Sequence, residues 1–394
     1  MDMKVLITTT TRRGGVWSYV QTLKRHLAVQ ADVFAVGSGD RAEGRLRALL
    51  RVVRDSLHFY HRTRTGCWDI VHLNPSLGWK AVLRDGVLLR IAEHRRMKTV
   101  VFFHGWNKNF EGNLRGCRLW LFKHIYFQAD GMVVLAKEFH DRLRTWGYSG
   151  PIYVETTAFA DEFLGDFANE NRMSKPCRDI HLLFLARLER TKGIYEAIDA
   201  FTLLKKKYPN LKLSVVGDGP ELEASREHTR EAKIPDVEFP GYLQGQQKID
   251  AFRRADVYVF PSSYGEGMPI SVLEAMASGL PVVTRPVGGL KDFFTDGVMG
   301  FMTASTDPRV FAERIERLIE EPDLRRRIGR YNYAYAREHF TASSVARKIE
   351  SVYRETLERR RCDEGVRDVL HEMPSRQWWL QPSPDRNRRS SHAL

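Results

Sequence analysis

Short apolar runs recur along the chain, and each is followed by a stretch whose apolar positions fall three and four apart. "KVLITTT" precedes "VWSYVQTLKRHLA"; new units begin with "KTVVFFH" at Lys98 and "GMVVLA" at Gly131. After Pro176 the alternation restarts. "IHLLFLARL" leads into a helical pattern carried by Ile194, Ala197, Ile198, Phe201 and Leu204, followed by the strand runs "LKLSVVG", "ADVYVFPSS" and "PVVT". Strand–helix alternation of this kind predicts parallel sheets covered by helices on both faces. The polar stretch 161–179 interrupts it and reads as a linker. The expectation is an α/β protein with two Rossmann-like, doubly wound lobes facing across a cleft, the first over 1–165 and the second over 176–340. Asp307 and Pro308 supply a cap and a first position for a later helix. An amphipathic stretch at 341–361 predicts a long helix, expected to pack back on the N-terminal lobe, and 374–394 has the composition of a flexible tail.

Charge changes this picture. The 394 residues carry a net charge of +13, unevenly placed. Residues 1–165 hold 25 Lys/Arg against 15 Asp/Glu, 166–373 balance at 33 against 33, and 374–394 hold four Arg and one Asp. A basic first lobe suits an anionic partner: a membrane surface, a phosphorylated lipid or nucleic acid. Two segments, 41–64 and 113–127, mix basic residues with Leu, Val and aromatics as interfacial helices do, though packing against the sheet explains them equally. Trp378–Trp379 in the tail is a further candidate for a membrane interface. The four cysteines form no C-x-x-C, the N-terminus opens directly into a strand pattern, and no apolar run approaches a membrane span. A cytoplasmic location is expected, with peripheral contact to the membrane's cytoplasmic face. A nucleic-acid-binding or non-catalytic scaffold protein is the alternative, but no nucleic-acid recognition motif supports it and no nucleic-acid partner is expected. "VVGDGPELE" echoes a dinucleotide fingerprint without its third glycine.

The candidate chemistry sits in "PSSYGEGMPISVLEAMASGLPVV" (261–283). The helix expected here, with Pro269 at its first position and Gly279 at its stop, is apolar nearly all round. Glu274 lies inside it, and a buried carboxylate needs donors: an Arg or Lys, backbone N–H groups, or hydroxyls of a ligand. In open α/β sheets ligands lie beyond the carboxyl ends of the strands, and a helix N-terminus there suits phosphate. With Glu266 in the glycine-containing loop, the arrangement fits a phosphate flanked by two hydroxylated groups, as in a nucleotide sugar. The competing account pairs Glu274 with a core Arg and leaves Glu266 solvated.

"EGMPISVLEAMASGLPVV" resembles the E-x7-E signature of the retaining GT-B glycosyltransferases of family 4, also called group 1. "FLARLERTKGIYEAIDAF", "VVGDGPE", "FPGYL", "ADVYVFPS" and "GGLKDFFTDGVMGFM" agree with it in order and spacing. The resemblance implies a GT-B architecture and a nucleotide-sugar donor. It implies transfer with retention to a lipid-linked or saccharide acceptor, in cell-surface polysaccharide assembly. It assigns Glu266, with the backbone of Gly267 and Met268, to the donor sugar, Glu274 to the ribose, and Arg187 and Lys192 to the diphosphate. The loop of Gly241, Tyr242 and Leu243 would meet the base, and His104 would lie beside the reacting carbon. Gly14 and Gly15, in the first βα turn, leave room for a phosphate or sugar, or make a plain tight turn. No Asp-x-Asp occurs, so no metal and no other cofactor is expected. The run "VETTAFADEF" departs from the family's pattern before the linker.

Overall fold

The computed structural model describes residues 3–11, 14–39, 44–164 and 179–372, with the backbone alone for Arg45 and 360–372. The expected tail with Trp378–Trp379 and most of the expected linker, 165–178, lie outside the described residues. The chain to Thr356 forms one compact unit, and a second begins at Leu357.

Among the described residues two six-stranded sheets form, parallel throughout. The first comprises β1 (Lys4–Thr10), β2 (Gln30–Val36), β3 (Ile70–Leu73), β4 (Lys98–Phe103), β5 (Gly131–Val134) and β6 (Ile152–Val154), ordered β2-β1-β3-β4-β5-β6. Consecutive residues Val5, Leu6 and Ile7 are all fully buried, so both faces are covered. On one face Leu6, Leu73, Val101 and Phe103 meet Phe59 of α2 (Arg45–Thr65), Leu88 and Leu89 of α3 (Trp79–His94) and Phe122 of α5 (Gly116–Tyr126). Each such side chain contributes about 1.5–3 kcal/mol by leaving water. On the other face Tyr19 of α1 (Gly15–His26) packs edge-on against Phe102.

The second sheet comprises β7 (Ile180–Leu185), β8 (Leu211–Val216), β9 (Val237–Gly241), β10 (Val257–Phe260), β11 (Val282–Thr284) and β12 (Gly300–Met302), ordered β12-β11-β10-β7-β8-β9. Helices α7 (Ile194–Lys205) and α12 (Pro308–Glu320) build its core on one face. On the other lie α9 (Gly245–Arg254), whose Phe252 meets Tyr258, and α10 (Ile270–Ala277), packed against α13 (Pro322–His339). The chain runs from β7 outward to β8 and β9 and then returns to β10 on β7's other side. The crevice between β7 and β10 is therefore the switch point of this sheet.

The apolar pattern alone does not pick out β2, β3, β6, β9 and β12. β9 is an edge strand holding Pro240, which an edge tolerates, and β3 carries the polar but fully buried His72. Pro269 stands one residue before α10 with an extended ψ of 106°, and not at its first helical position. Gly279 follows that helix at φ +69°, the left-handed region that favours glycine. Asp307 caps α12, accepting from Arg309 N at 2.9 Å. The helix expected over 341–361 is α14 (Ala342–Glu372) and runs eleven residues further (372 − 361). Its residues up to Thr356 lie against the first sheet: Tyr353 Oη is 2.6 Å from His72 Nδ1, and Tyr153 donates to Glu355 at 2.6 Å. Among the described residues no helix is long and apolar enough to cross a membrane.

Candidate functional site

The loops leaving β7 and β10 are laced together across the switch point. After β7 a 3-10 turn over Arg190–Lys192 ends at Gly193, whose φ of +82° suits glycine. A Cβ there would stand 2.5 Å from the Pro261 carbonyl oxygen, so a side chain would wedge the two loops apart. Ser263 N donates to Thr191 O at 2.8 Å. This packing brings Lys192 Nζ to 2.5 Å from Glu266 Oε1, which also accepts from Ser262 Oγ at 3.0 Å. Lys192 lies 4.1 Å from the centre of the Tyr264 ring. The side chains of both members of the pair are largely buried, 14% and 12% exposed.

Glu274 is buried on α10, and its partner is Lys248 of α9, not an arginine. Lys248 Nζ lies 2.7 Å from Oε1 and 2.6 Å from Oε2. It is aligned with Oε1 only, so Oε2 is buried without a directed donor. Burial pushes the Glu274 carboxyl up, and Lys248 partly offsets that. Tyr258, buried in β10, donates its phenol O–H to Leu185 O at 2.9 Å. Burial drives its phenol well above the usual range, with the charges of Glu274 and then Glu266 adding to the rise.

The first lobe meets this site directly. A Cβ on Gly267 would lie 2.0 Å from the His104 carbonyl oxygen, and one on Gly265 would lie 2.5 Å from that of Trp106. The loop carrying Glu266 is thus pressed against the segment leaving β4, and glycine alone permits that approach. Met268 is buried next to it. His104 is half-buried, and its Nε2 is 2.6 Å from Asn74 Oδ1. Burial, and then the neighbouring His72, pushes its pKa well below the usual imidazole range, so it is neutral. Gly14 has an extended φ of −177°, a Cβ there meets nothing within 4 Å, and one on Gly15 meets only Ile270 at 3.9 Å. Among the described residues, a side chain at Gly14 would meet no neighbour and one at Gly15 only Ile270, at the start of α10.

Four of the residues singled out from sequence lie elsewhere. Gly241 ends β9, two strands from β7, with φ +78°, and Tyr242 and Leu243 follow it, the Tyr242 side chain exposed. Arg187 follows β7, yet its Nε pairs with Glu189 at 3.0 Å and its side chain is 54% exposed, apart from the Lys192–Glu266 pair. Sequence reasoning missed Lys248, Ser262, Tyr258 and Asn74. Lys248 stands 26 positions from Glu274, and only the packing of α9 beside α10 pairs them. Chemically, the site presents two cations beside two acids. Each cation is held by a carboxylate that a ligand's phosphate and hydroxyls can replace.

Residues 168–335 match the family model described as glycosyl transferases group 1. Glycogen synthase of Mycobacterium tuberculosis (strain CDC 1551 / Oshkosh) is 26% identical over 230 residues, 57% of this chain and 54% of that protein. The putative colanic acid biosynthesis glycosyltransferase WcaL of Salmonella typhimurium is 28% identical over 292 residues, 72% of this chain and 69% of its own. The match with the glycogen synthase thus spans about half that relative's length. Among solved structures, Anabaena Alr3699/HepE in complex with UDP and glucose superposes with a TM-score of 0.67 at 18% identity, over 89% of this chain and 99% of that one. This last likeness is one of fold, and the fold is GT-B.

Proposed function

We propose that the protein is a retaining glycosyltransferase of family 4 that moves a hexose from a nucleotide-diphosphate donor to a hydroxyl of a lipid-linked or saccharide acceptor in cell-surface polysaccharide assembly. The observation that carries this reading is the Lys192–Glu266 pair at the β7/β10 switch point, pressed against the His104 segment of the other lobe. On donor binding Lys192 exchanges the Glu266 carboxylate for the diphosphate, and Glu266 turns to hydroxyls of the sugar. Glu274, whose buried Oε2 lacks an aligned donor, takes the ribose. Arg187 swings from Glu189 to the diphosphate, a movement its exposure allows. Gly14 and Gly15 leave space for the phosphates, and the backbone near Tyr242 and Leu243 meets the base. The glycogen synthase and WcaL relatives support the polysaccharide role, and the UDP-bound neighbour supports a nucleotide donor.

In the reaction the bond from the anomeric carbon to the diphosphate oxygen breaks. The acceptor oxygen bonds to the same face of that carbon, and the acceptor proton passes to the departing phosphate. Charge growing on the diphosphate is stabilised by Lys192, Arg187 and the N-terminus of α10, which has no acid in its first turn. No metal is assigned a role. A thermal-shift panel of UDP-, GDP-, ADP- and TDP-sugars is expected to give one strongly stabilising donor, and mass spectrometry the glycosylated product. EDTA should change neither result. A panel with no stabilising sugar nucleotide, or activity lost to EDTA and restored by Mn²⁺, would overturn the respective part of the proposal.

The same reading places the first lobe on an anionic membrane at its cytoplasmic face. Of the two basic amphipathic segments, α5 buries Phe122 and Tyr126 in the core and leaves Trp120 out. Helix α2 differs: Leu46, Leu49, Leu50, Val53 and Leu57 are each 50–70% exposed. Leu46, Leu50, Val53, Leu57 and Tyr60 form one stripe opposite the buried Asp55, Phe59 and Thr63, with exposed Arg47, Arg54, His58 and His61 along its flank. An apolar stripe edged by cations suits an anionic bilayer lying parallel to the helix. Co-sedimentation with phosphatidylglycerol vesicles is expected, weakening with salt and lost in Leu50→Glu/Leu57→Glu. Equal pelleting with neutral vesicles, indifferent to salt and substitution, would dismiss the contact.

A further inference from the structure

The surroundings of His104 determine which of its nitrogens carries the proton. Asn74 follows β3, and its Nδ2 donates to Thr8 O at 2.7 Å while its backbone N donates to Thr8 Oγ1 at 3.1 Å. The reversed amide would set oxygen against the Thr8 carbonyl, acceptor to acceptor. Asn74 Oδ1 must therefore face His104 Nε2, 2.6 Å away, and an oxygen there can only accept. The proton belongs on Nε2, and Nδ1 holds the lone pair. The plane of the ring is fixed as well. Phe102 stacks on it at 3.9 Å and Tyr19 meets its edge at 4.6 Å. Behind Phe102 the stack continues to His72 at 5.9 Å, and Tyr353 of α14 closes it, edge-on to His72.

We propose that Asn74 is a positioning residue that locks neutral His104 as its Nε2–H tautomer, so that Nδ1 is a preset acceptor for a hydroxyl of the bound sugar. The proposal rests on the glycosyltransferase reading for the identity of that hydroxyl, but the tautomer does not depend on it. Backing by the Phe102–His72–Tyr353 stack makes this acceptor rigid, and a rigid acceptor orients a reacting ring without reorganisation at the moment of reaction.

Long-range ¹H–¹⁵N correlation spectra of ¹⁵N-histidine-labelled protein, assigned through His104→Phe, read the tautomer directly. The expected wild-type pattern for His104 is a protonated Nε2 and a bare Nδ1 between pH 6 and 8. A protonated Nδ1, or averaged signals from both tautomers, overturns the proposal without any variant. In Asn74→Ala the His104 signals should move to averaged values, and kcat should fall on the order of tenfold with the donor KM changed less than about twofold. Wild-type-like signals in a folded Asn74→Ala protein would also overturn it. If the tautomer is fixed but no sugar nucleotide stabilises the protein, the functional reading fails and the positioning by Asn74 stands.

Discussion

Lys192→Ala is expected to lower kcat by about 10²- to 10³-fold, the loss typical of removing one donor from a site of developing negative charge. Lys192 is attached to its loop by more than its own side chain: Gly193 packs against Pro261, and Thr191 O accepts from Ser263 N. The substitution therefore removes a charge without loosening the β7–β10 connection. It leaves Glu266 with Ser262 as partner, so the fold should hold, with an unchanged far-ultraviolet spectrum and a Tm within a few degrees. Because the diphosphate gains negative charge as the sugar departs, the loss should appear in kcat more than in donor affinity. Lys192→Arg should recover only part of the rate, since a planar fork does not fit the place of a compact ammonium. Steady-state kinetics with the donor found by thermal shift decide the matter. Near-normal turnover by Lys192→Ala would remove the central cation from the mechanism.

The second large effect is on stability and depends on which member of the Glu274–Lys248 pair is removed. Lys248→Met leaves the buried carboxylate without its cation. Burial already raises the Glu274 pKa against the opposing pull of Lys248, so removing Lys248 raises it further. A carboxyl whose folded pKa exceeds its unfolded value favours folding at low pH and loses that contribution as pH rises through the folded pKa. Lys248→Met should therefore be tolerated near pH 5 and cost about 3 kcal/mol at pH 8. Glu274→Gln should behave in the opposite way. It removes the buried charge and leaves a lysine whose side chain is 25% exposed and can be hydrated. Its Tm should match or exceed that of the wild type, with the difference growing from pH 5 to pH 8. Donor binding by Glu274→Gln should weaken by about 10- to 100-fold, the equivalent of losing a charged hydrogen bond to the ribose. Denaturation melts across that pH range, combined with donor titrations, separate these outcomes. A Lys248→Met protein as stable at pH 8 as at pH 5 would contradict the assignment.

Both predictions rest on contacts with different degrees of sequence legibility. The E-x7-E segment, the strand–helix alternation and the position of Lys192 after a strand are local patterns. They were enough to anticipate two doubly wound lobes and to point to a candidate site at the strand ends, because burial on a parallel sheet forces apolar runs at strand spacing whatever the partner strand is. Glu274 could be recognised as a buried acid for the same reason: its helix is apolar on every side. Short or edge strands such as β9, with Glu238 and Pro240, carry too few buried positions to leave that imprint.

Tertiary structure alone decided the pairings. Lys248 with Glu274, Asn74 with His104 and Tyr353 with His72 join residues 26, 30 and 281 positions apart. No local propensity encodes which helix lies beside which. It also decided between two segments with the same basic, apolar composition, burying Phe122, Ile125 and Tyr126 of α5 and leaving the apolar stripe of α2 in water. Arg187 and Lys192, equivalent as loop cations in sequence, diverged because Glu189 lies within reach of one and Glu266 within reach of the other. A sequence states what each residue would prefer to bury or to pair with; which neighbour satisfies that preference depends on distances that exist only once the strands are ordered and the helices packed upon them.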